Sequence, residues 1–319
     1  MAAHIRPLQS EHVPAAAAVV ARRVTELREA VPALPPTFAI NANVEAALTR
    51  LLDAGHGLVA LADDGSVLGH LCWREFPTFR RAPRRAAYVP EYGSALTPHA
   101  PPWVRQQLFI AAAEQWDASA RQVVAITQLD GDPTADEYWV ANGFGRFLQD
   151  GVRPCTGLEV STPDGYEVRP ATIDDLNRLV QLDGEHCRHY GEPPVFMVPP
   201  QPATADELAP LLTGPPAVWA AADDHGPQAF LRTEVGGDSC SEFVCAPDTM
   251  AVTGIFTRPA ARGRGVGVAL FDAALRHHAT QDIPRAGFDY ETINPTALAF
   301  WPRLVTTVAR SYMRVLERC

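Results

Sequence analysis

Arg262-Gly263-Arg264-Gly265-Val266-Gly267 stands between two stretches of opposite character. Before it, Thr249 to Thr257 is short, apolar and β-branched, and reads as a strand. After it, Val266 to Ala279 carries apolar residues at helical spacing. A strand that turns into a helix through glycines leaves the first helical N–H groups without partners. Glycine lets the backbone fold back and approach a ligand without side-chain obstruction, so several amides converge on an anion with the helix dipole behind them. Thr249 to Phe271 contains Arg258, Arg262 and Arg264 and no acid, in a chain of formal charge -10. The local reversal of sign marks an anion site.

Three phosphate-binding patterns compete for the loop. A P-loop needs GxxxxGK[ST], and all 27 basic residues of this chain are arginine. A dinucleotide fingerprint needs GxGxxG, but Val268 takes the place of its third glycine. The third pattern, [QR]xxGx[GA] between strand and helix, fits. Here the chain resembles the acetyl-CoA pyrophosphate loop of the GCN5-related N-acetyltransferase (GNAT) family. Thr257-Arg258-Pro259 stands where that family's V-x-P precedes the loop, and Asn294-Pro295-Thr296-Ala297-Leu298-Ala299-Phe300-Trp301 resembles its later N-x-x-A-x-x-F-Y helix.

Working outward, the chain is written twice. Ile5-Arg6-Pro7 answers to Val168-Arg169-Pro170, and Ala60 to Asp64 to Ala220 to Asp224. Leu108-Phe109 answers to Leu270-Phe271, and Pro133-Thr134-Ala135 with Trp139 to Pro295-Thr296-Ala297 with Trp301, at shifts of 160 to 163. A length of 319 residues also favours two domains. The Gly, Pro, Ser and Thr cluster at 154–164 sets the expected cut, with domains at 1–154 and 165–319. The resemblance implies an α/β (α+β) fold: two tandem GNAT-like domains, each a mixed sheet flanked by helices with a splayed central strand pair. In the second half we expect strands at 167–170, 217–222, 228–235, 249–257, 285–291 and 308–316. Helices are expected at 206–212, 266–279 and 295–304, with another from Thr172 onward.

The first half answers the loop with Ala100-Pro101-Pro102-Trp103-Val104-Arg105. Prolines remove amide donors, and Trp103 is expected to fill the space that glycine leaves open. This half is therefore expected not to bind CoA.

In the second half the resemblance implies acyl-CoA between the parting strands 249–257 and 285–291. Ile255, Phe256 and Thr257 would take the pantetheine arm. Arg262, Gly263, Arg264, Gly265, Val266 and Gly267 would take the diphosphate, with Asn294 and Phe300 beside the cofactor. It implies direct transfer of an acyl group, acetyl by family habit, to the amine of a small molecule. The family's usual acid is a tyrosine where this chain has Trp301, and indole N–H is far too weak an acid to replace it. Tyr290 is the substitute candidate, and Glu291, Asp289 or Asp248 the base, unless a water chain serves. His186, His189 and Tyr190 stand where the family places its substrate-covering helix and loop. The alternatives are a non-catalytic CoA- or metabolite-binding protein and an O-acyltransferase.

Composition narrows the rest. With 47% apolar residues the chain packs a core, and pI near 5.5 argues against a general nucleic-acid binder. No apolar run reaches the roughly 18 residues of a membrane span, and no signal peptide is evident at Met1, so the cytoplasm is expected. The six cysteines form no CxxC pair, so reduced thiols are expected. His186, His189, Cys240 and Cys245 match no zinc spacing, so no metal is expected. His277 and His278, near a helix end, read as exposed residues favoured by the dipole.

Overall fold

A computed structural model describes residues 3–237 and 240–317. The chain forms two compact units, residues 1–149 with 307–319 and residues 150–306. The division falls at 149/150, ahead of the expected 154–164. The last strand, counted above with the second half, belongs to the first unit.

In the first unit, β1 (His4–Pro7) leads to α1 (Val13–Ala30), α2 (Asn41–Ala54), β2 (Gly55–Leu61) and β3 (Val67–Phe76). Then follow β4 (Ala86–Val89), β5 (Ser94–Leu96), α3 (Trp103–Ala118), β6 (Val123–Leu129) and α4 (Pro133–Ala141). β7 (Gly145–Pro154) crosses the 149/150 boundary. The second unit holds β8 (Glu167–Pro170), α5 (Leu176–Gly191), α6 (Ala205–Leu208), β9 (Val218–Asp223), β10 (Gly226–Val235) and β11 (Thr249–Thr257). It continues through α7 (Val266–Ala279), β12 (Arg285–Glu291) and α8 (Pro295–Phe300). The final strand, β13 (Thr306–Val315), pairs antiparallel with β6 of the first unit from Ala309↔Leu129 to Val315↔Val123.

Each unit builds a mixed sheet with helices packed on it. The first sheet runs β1-β2-β3-β4-β6-β13, with β5 on β3; in the second, β12-β11-β10-β9-β8 follow one another. The expected helix at 206–212 is one α-turn plus a 3-10 turn, and 295–304 divides the same way after Phe300. Pro210 and Pro302 account for both: each sits early in its 3-10 turn and lacks the N–H that an α-helix would use there.

α7 anchors one end of the loop in the core of the second unit. Val266, Leu270 and Ala274 repeat every fourth residue, with Phe271 and Leu275 beside them, and all are buried against Phe288, Met250 and Trp301. Full burial of a Leu or Phe contributes about 1.5–3 kcal/mol before entropy, so this stripe anchors the helix start.

Two expectations about polar residues are corrected here. His278 is buried rather than exposed, with its ring 3.1 Å from the Thr233 hydroxyl; burial, together with His277, pushes it down to about 4. Cys240 and Cys245 are joined by a disulfide rather than reduced, while Cys72, Cys155 and Cys187 are buried and outside any disulfide. Cys319 lies outside the described residues.

Candidate functional site

The loop is shaped by two left-handed glycines. Gly263 has φ of 75° and Gly265 φ of 86°, a region where a side chain is strained. Gly265 is the N-cap of α7, and the first helical bond runs from Ala269 N–H to Gly265 C=O, 3.0 Å. The N–H groups of Val266, Gly267 and Val268 precede that bond and have no helical acceptor. A Cβ at Gly267 would come within 3.2 Å of the Phe300 ring, so only glycine fits easily between the helix and α8.

Next to the loop, β11 and β12 part. They pair in parallel only at Thr249↔Arg285, Met250↔Ala286 and Ala251↔Gly287. On its other side β11 stays paired with β10 to the end, but the register shifts between Arg232↔Gly254 and Thr233↔Val252. Thr253 is the extra residue of a β-bulge, which bends a strand and increases its twist. The bulge comes two residues after pairing with β12 stops. Gly254 suits this place, because a Cβ there would lie 3.1 Å from the Arg232 guanidinium.

These features open on one cleft of about 620 Å³. Ile255, Phe256 and Thr257 form one side and Arg262, Gly263, Gly265, Val266, Gly267 and Val268 the loop side. Asn294, Thr296, Phe300, Trp301 and Arg303 face them from and beyond α8, and His186 and His189 come from α5. Asn294 is fixed as the N-cap of α8, accepting from the Thr296 N–H (3.1 Å) and hydroxyl (2.7 Å). Among the described residues, the walls carry two arginines and no carboxylate.

Of the sequence-derived candidates, the structure brings to this cleft the three strand residues, five of the six loop residues, Asn294, Phe300, His186 and His189. Arg264 is exposed and outside its lining. Arg258 does not serve the loop: its guanidinium grips Glu185 at 2.9 and 2.5 Å. Tyr190 touches the ring of His186, centroids 5.2 Å apart, without lining the cleft.

The acid and base candidates fare differently. Asp248 is corrected: its carboxylate is held by Arg285, 2.5 Å away, at the end of the strands where they are still paired. Tyr290 is 4% exposed and packed in the core with Phe271 and Phe288, so it does not face the cleft. Glu291 ends β12 half-buried, outside the lining, and Asp289 is exposed. Trp301 is buried, with its ring 4.1 Å from Phe288 and perpendicular to Phe271 at 5.3 Å, and supplies no acid. Residue-by-residue reading missed Thr296 and Arg303; the only signal for them was the helix that begins after Asn294.

His186 is wedged among Tyr190, Phe230 (5.8 Å) and Phe256 (5.6 Å). Burial pushes its pKa down to about 4, helped by the Arg232 charge and His189 and opposed by Asp183. It is a neutral imidazole at pH 7. Asp183 is itself buried, pairing with Arg232 at 3.2 Å and accepting from Ala203 N–H at 2.7 Å.

At the corresponding place in the first unit, the cavity beside Leu96, Leu129 and Asp132 measures only about 10 Å³. Trp103 is 38% exposed and does not pack into the loop, contrary to expectation. The group that turns inward is Arg105, 6% exposed, which donates to Asp132 at 2.6 Å and Thr134 at 3.3 Å.

Residues 185–304 match the model of the Acetyltransferase (GNAT) family. No curated protein matches the sequence. Among solved structures, a GCN5-related N-acetyltransferase from Sphaerobacter thermophilus aligns over 99% of this chain and 96% of its own, with 15% identity and TM-score 0.58. A GCN5-related glucosamine N-acetyltransferase region of a fungal multi-domain β-N-acetylglucosaminidase aligns over 98% of this chain at 12% identity and TM-score 0.56; the chain spans 38% of that protein. A tandem GNAT protein from the clavulanic acid biosynthesis pathway aligns over all of both chains, with 15% identity and TM-score 0.49. Residues 185–304, which hold the loop, the parting strands and the cleft, are the part of the chain that matches the acetyltransferase (GNAT) family model, and the whole chain takes the fold of such proteins.

Proposed function

We propose that the second unit binds acyl-CoA, a substrate here, in the 620 Å³ cleft and passes its acyl group directly to an amine of a small molecule. One observation carries the reading: the unpartnered N–H groups of Val266, Gly267 and Val268 open on the cleft that leads to the parting of β11 and β12. A diphosphate at the α7 start would receive these donors and the positive end of the dipole. Arg262 and Arg303 add positive charge nearby, with no carboxylate to oppose it. The unpaired edge of β11 offers strand-like partners to the amide groups of a pantetheine arm. Acetyl is the family's usual group, and the first unit is read as a non-binding partner.

The reaction is nucleophilic substitution at a thioester. The amine nitrogen attacks the carbonyl carbon, an N–H donor stabilises the oxyanion, and the C–S bond breaks as CoA leaves. A non-catalytic CoA binder is the second reading, favoured by Trp301 in the place of the usual tyrosine. Calorimetric titration of the full chain with acetyl-CoA should give one site per chain, and thiol release with a panel of amines separates catalysis from binding. No binding, or two sites per chain, would overturn the reading; binding without thiol release would leave the second one.

A further inference from the structure

Direct transfer needs a group that takes a proton from the attacking nitrogen, and among the described residues no carboxylate lines the cleft. Of the sequence-derived acids and bases, Asp248 is held by Arg285, Tyr290 is packed in the core, and Glu291 and Asp289 are not among the lining residues. What the cleft does present is imidazole. His186 lies on its wall, steadied by the rings of Tyr190, Phe230 and Phe256, and none of the described residues hydrogen-bonds its nitrogens. Those nitrogens are left for a ligand.

The charges around it also select the ligand. Asp183, His189 and Tyr190 neighbour His186 on α5; Arg232 approaches from β10, and Arg262 stands over the Phe256 ring at 5.7 Å. Asp183 is already paired with Arg232. A cationic amine would enter among Arg262, Arg303 and this wall with no free anion to meet it.

We propose that His186 carries the proton during transfer, and that the acceptor is an amine that reaches the cleft uncharged, of the arylamine class. This rests on the acyl-transfer reading above. The nitrogen lone pair forms the C–N bond, and the carbonyl π electrons move onto oxygen. The intermediate's N–H proton passes to the free imidazole nitrogen. The oxyanion then collapses, the C–S electron pair leaves with sulfur, and the imidazolium returns the proton to the thiolate. Amide and free CoA result, and the imidazole is regenerated. An imidazole as weakly basic as His186 forms a strong acid once protonated, which suits protonation of sulfur where Trp301 offers no acid. The same weakness restricts it to acceptors whose attacking nitrogen becomes strongly acidic, as an arylamine nitrogen does.

The test compares 4-methoxyaniline with 1,4-diaminobutane as acceptors for acetyl-CoA on the full chain, reading thiol release. The arylamine should be turned over, at a rate flat from about pH 6 to 8 because His186 stays unprotonated there. H186Q should lower kcat by about 100-fold or more and leave acetyl-CoA affinity within about twofold. Preference for the diamine, or an H186Q kcat close to wild type, overturns the proposal. So does bound acetyl-CoA without arylamine turnover; absent acetyl-CoA binding would instead sink the reading beneath it. Should H186Q misfold, imidazole 15N shifts of the wild type with CoA decide: 4-methoxyaniline should move the His186 resonance and the diamine should not, and the reverse overturns it.

Discussion

Two helix starts, 162 residues apart, use the same framework for opposite ends. In the second unit, Gly267 has no side chain, and the space before Asn294 and Thr296 is open cleft. In the first unit the corresponding residue is Arg105, and its guanidinium occupies the corresponding space, bonded to Asp132 and Thr134, the counterparts of Asn294 and Thr296. The strands differ in the same sense. Parallel pairing stops at Val89 in the first unit and at Ala251 in the second. Beyond it β11 runs on with an open edge, whereas β4 ends at Val89 and the chain turns, Gly93 N–H bonding Pro90 C=O, into β5 on β3. One architecture thus gives a cleft where a glycine and a bulge keep space open. It gives a packed core where an arginine and a turn close it.

The largest effect should come from closing the open side. Gly265→Trp puts a bulky residue at φ 86° beside Pro163, whose Cγ already lies 3.7 Å from where Cβ would stand. Acetyl-CoA affinity should fall by about 1,000-fold, roughly 4 kcal/mol. Trp103→Ala, at the matching place in the first unit, should leave affinity within about twofold. Equal losses in the two variants, measured by calorimetry, would erase the distinction between the halves.

Opening the closed side should cost stability instead. Arg105 and Asp132 have side chains only 7% and 17% exposed, and removing one partner of a buried pair typically costs about 3–5 kcal/mol. Arg105→Ala should therefore lower the urea midpoint sharply at pH 7. Burial alone would raise the Asp132 carboxyl, but the Thr134 hydroxyl, the Arg105 charge and the Ala135 N–H hold it below its ordinary value. A depressed carboxylate contributes stability above its unfolded pKa of about 3.9 and loses it as pH falls through the folded value. The penalty for Arg105→Ala should thus shrink toward pH 3. An undiminished penalty there would mean that Arg105 acts through packing alone.

Much of this was legible in the chain. The loop could be read from the glycine spacing and the position between strand and helix, and strands 249–257 and 285–291 fall where alternation and apolar content put them. The repeat placed Trp139 and Trp301 together, and both are buried. Other features were not local. Trp103 has the bulk to fill a gap, but which side chain turns inward depends on Asp132 and Thr134, 27 and 29 residues away. Nothing in 306–315 says which sheet it joins, because an alternating strand fits either. The sequence offered Tyr290 as an acid and Asp289 or Glu291 as a base, but alternation along a strand does not say which face meets the helix; the structure turns Tyr290 into the core. The resemblance put His186 and His189 in the substrate-covering segment, yet only the packing of Phe230 and Phe256 shows that His186 is neutral.

The smallest effect separates backbone shape from ligand contact within the loop itself. Gly263 and Gly265 share the left-handed conformation, but a Cβ at Gly263 meets nothing within 4 Å. Gly263→Ala therefore isolates the conformational term, about 1–2 kcal/mol, with no steric one. If the loop keeps its shape, that cost appears as a lower melting temperature of the free protein. Saturating acetyl-CoA should then raise the melting temperature of this variant by about as much as it raises that of the wild type. If the loop relaxes instead, α-region backbone at 263 turns the amides of 266–268 away from the cleft. The free protein then melts normally and the ligand-induced rise is lost. The two outcomes report whether α7 and its packing, or the glycines alone, hold the donors in place. The burial of Val266, Leu270 and Phe271 argues for the helix.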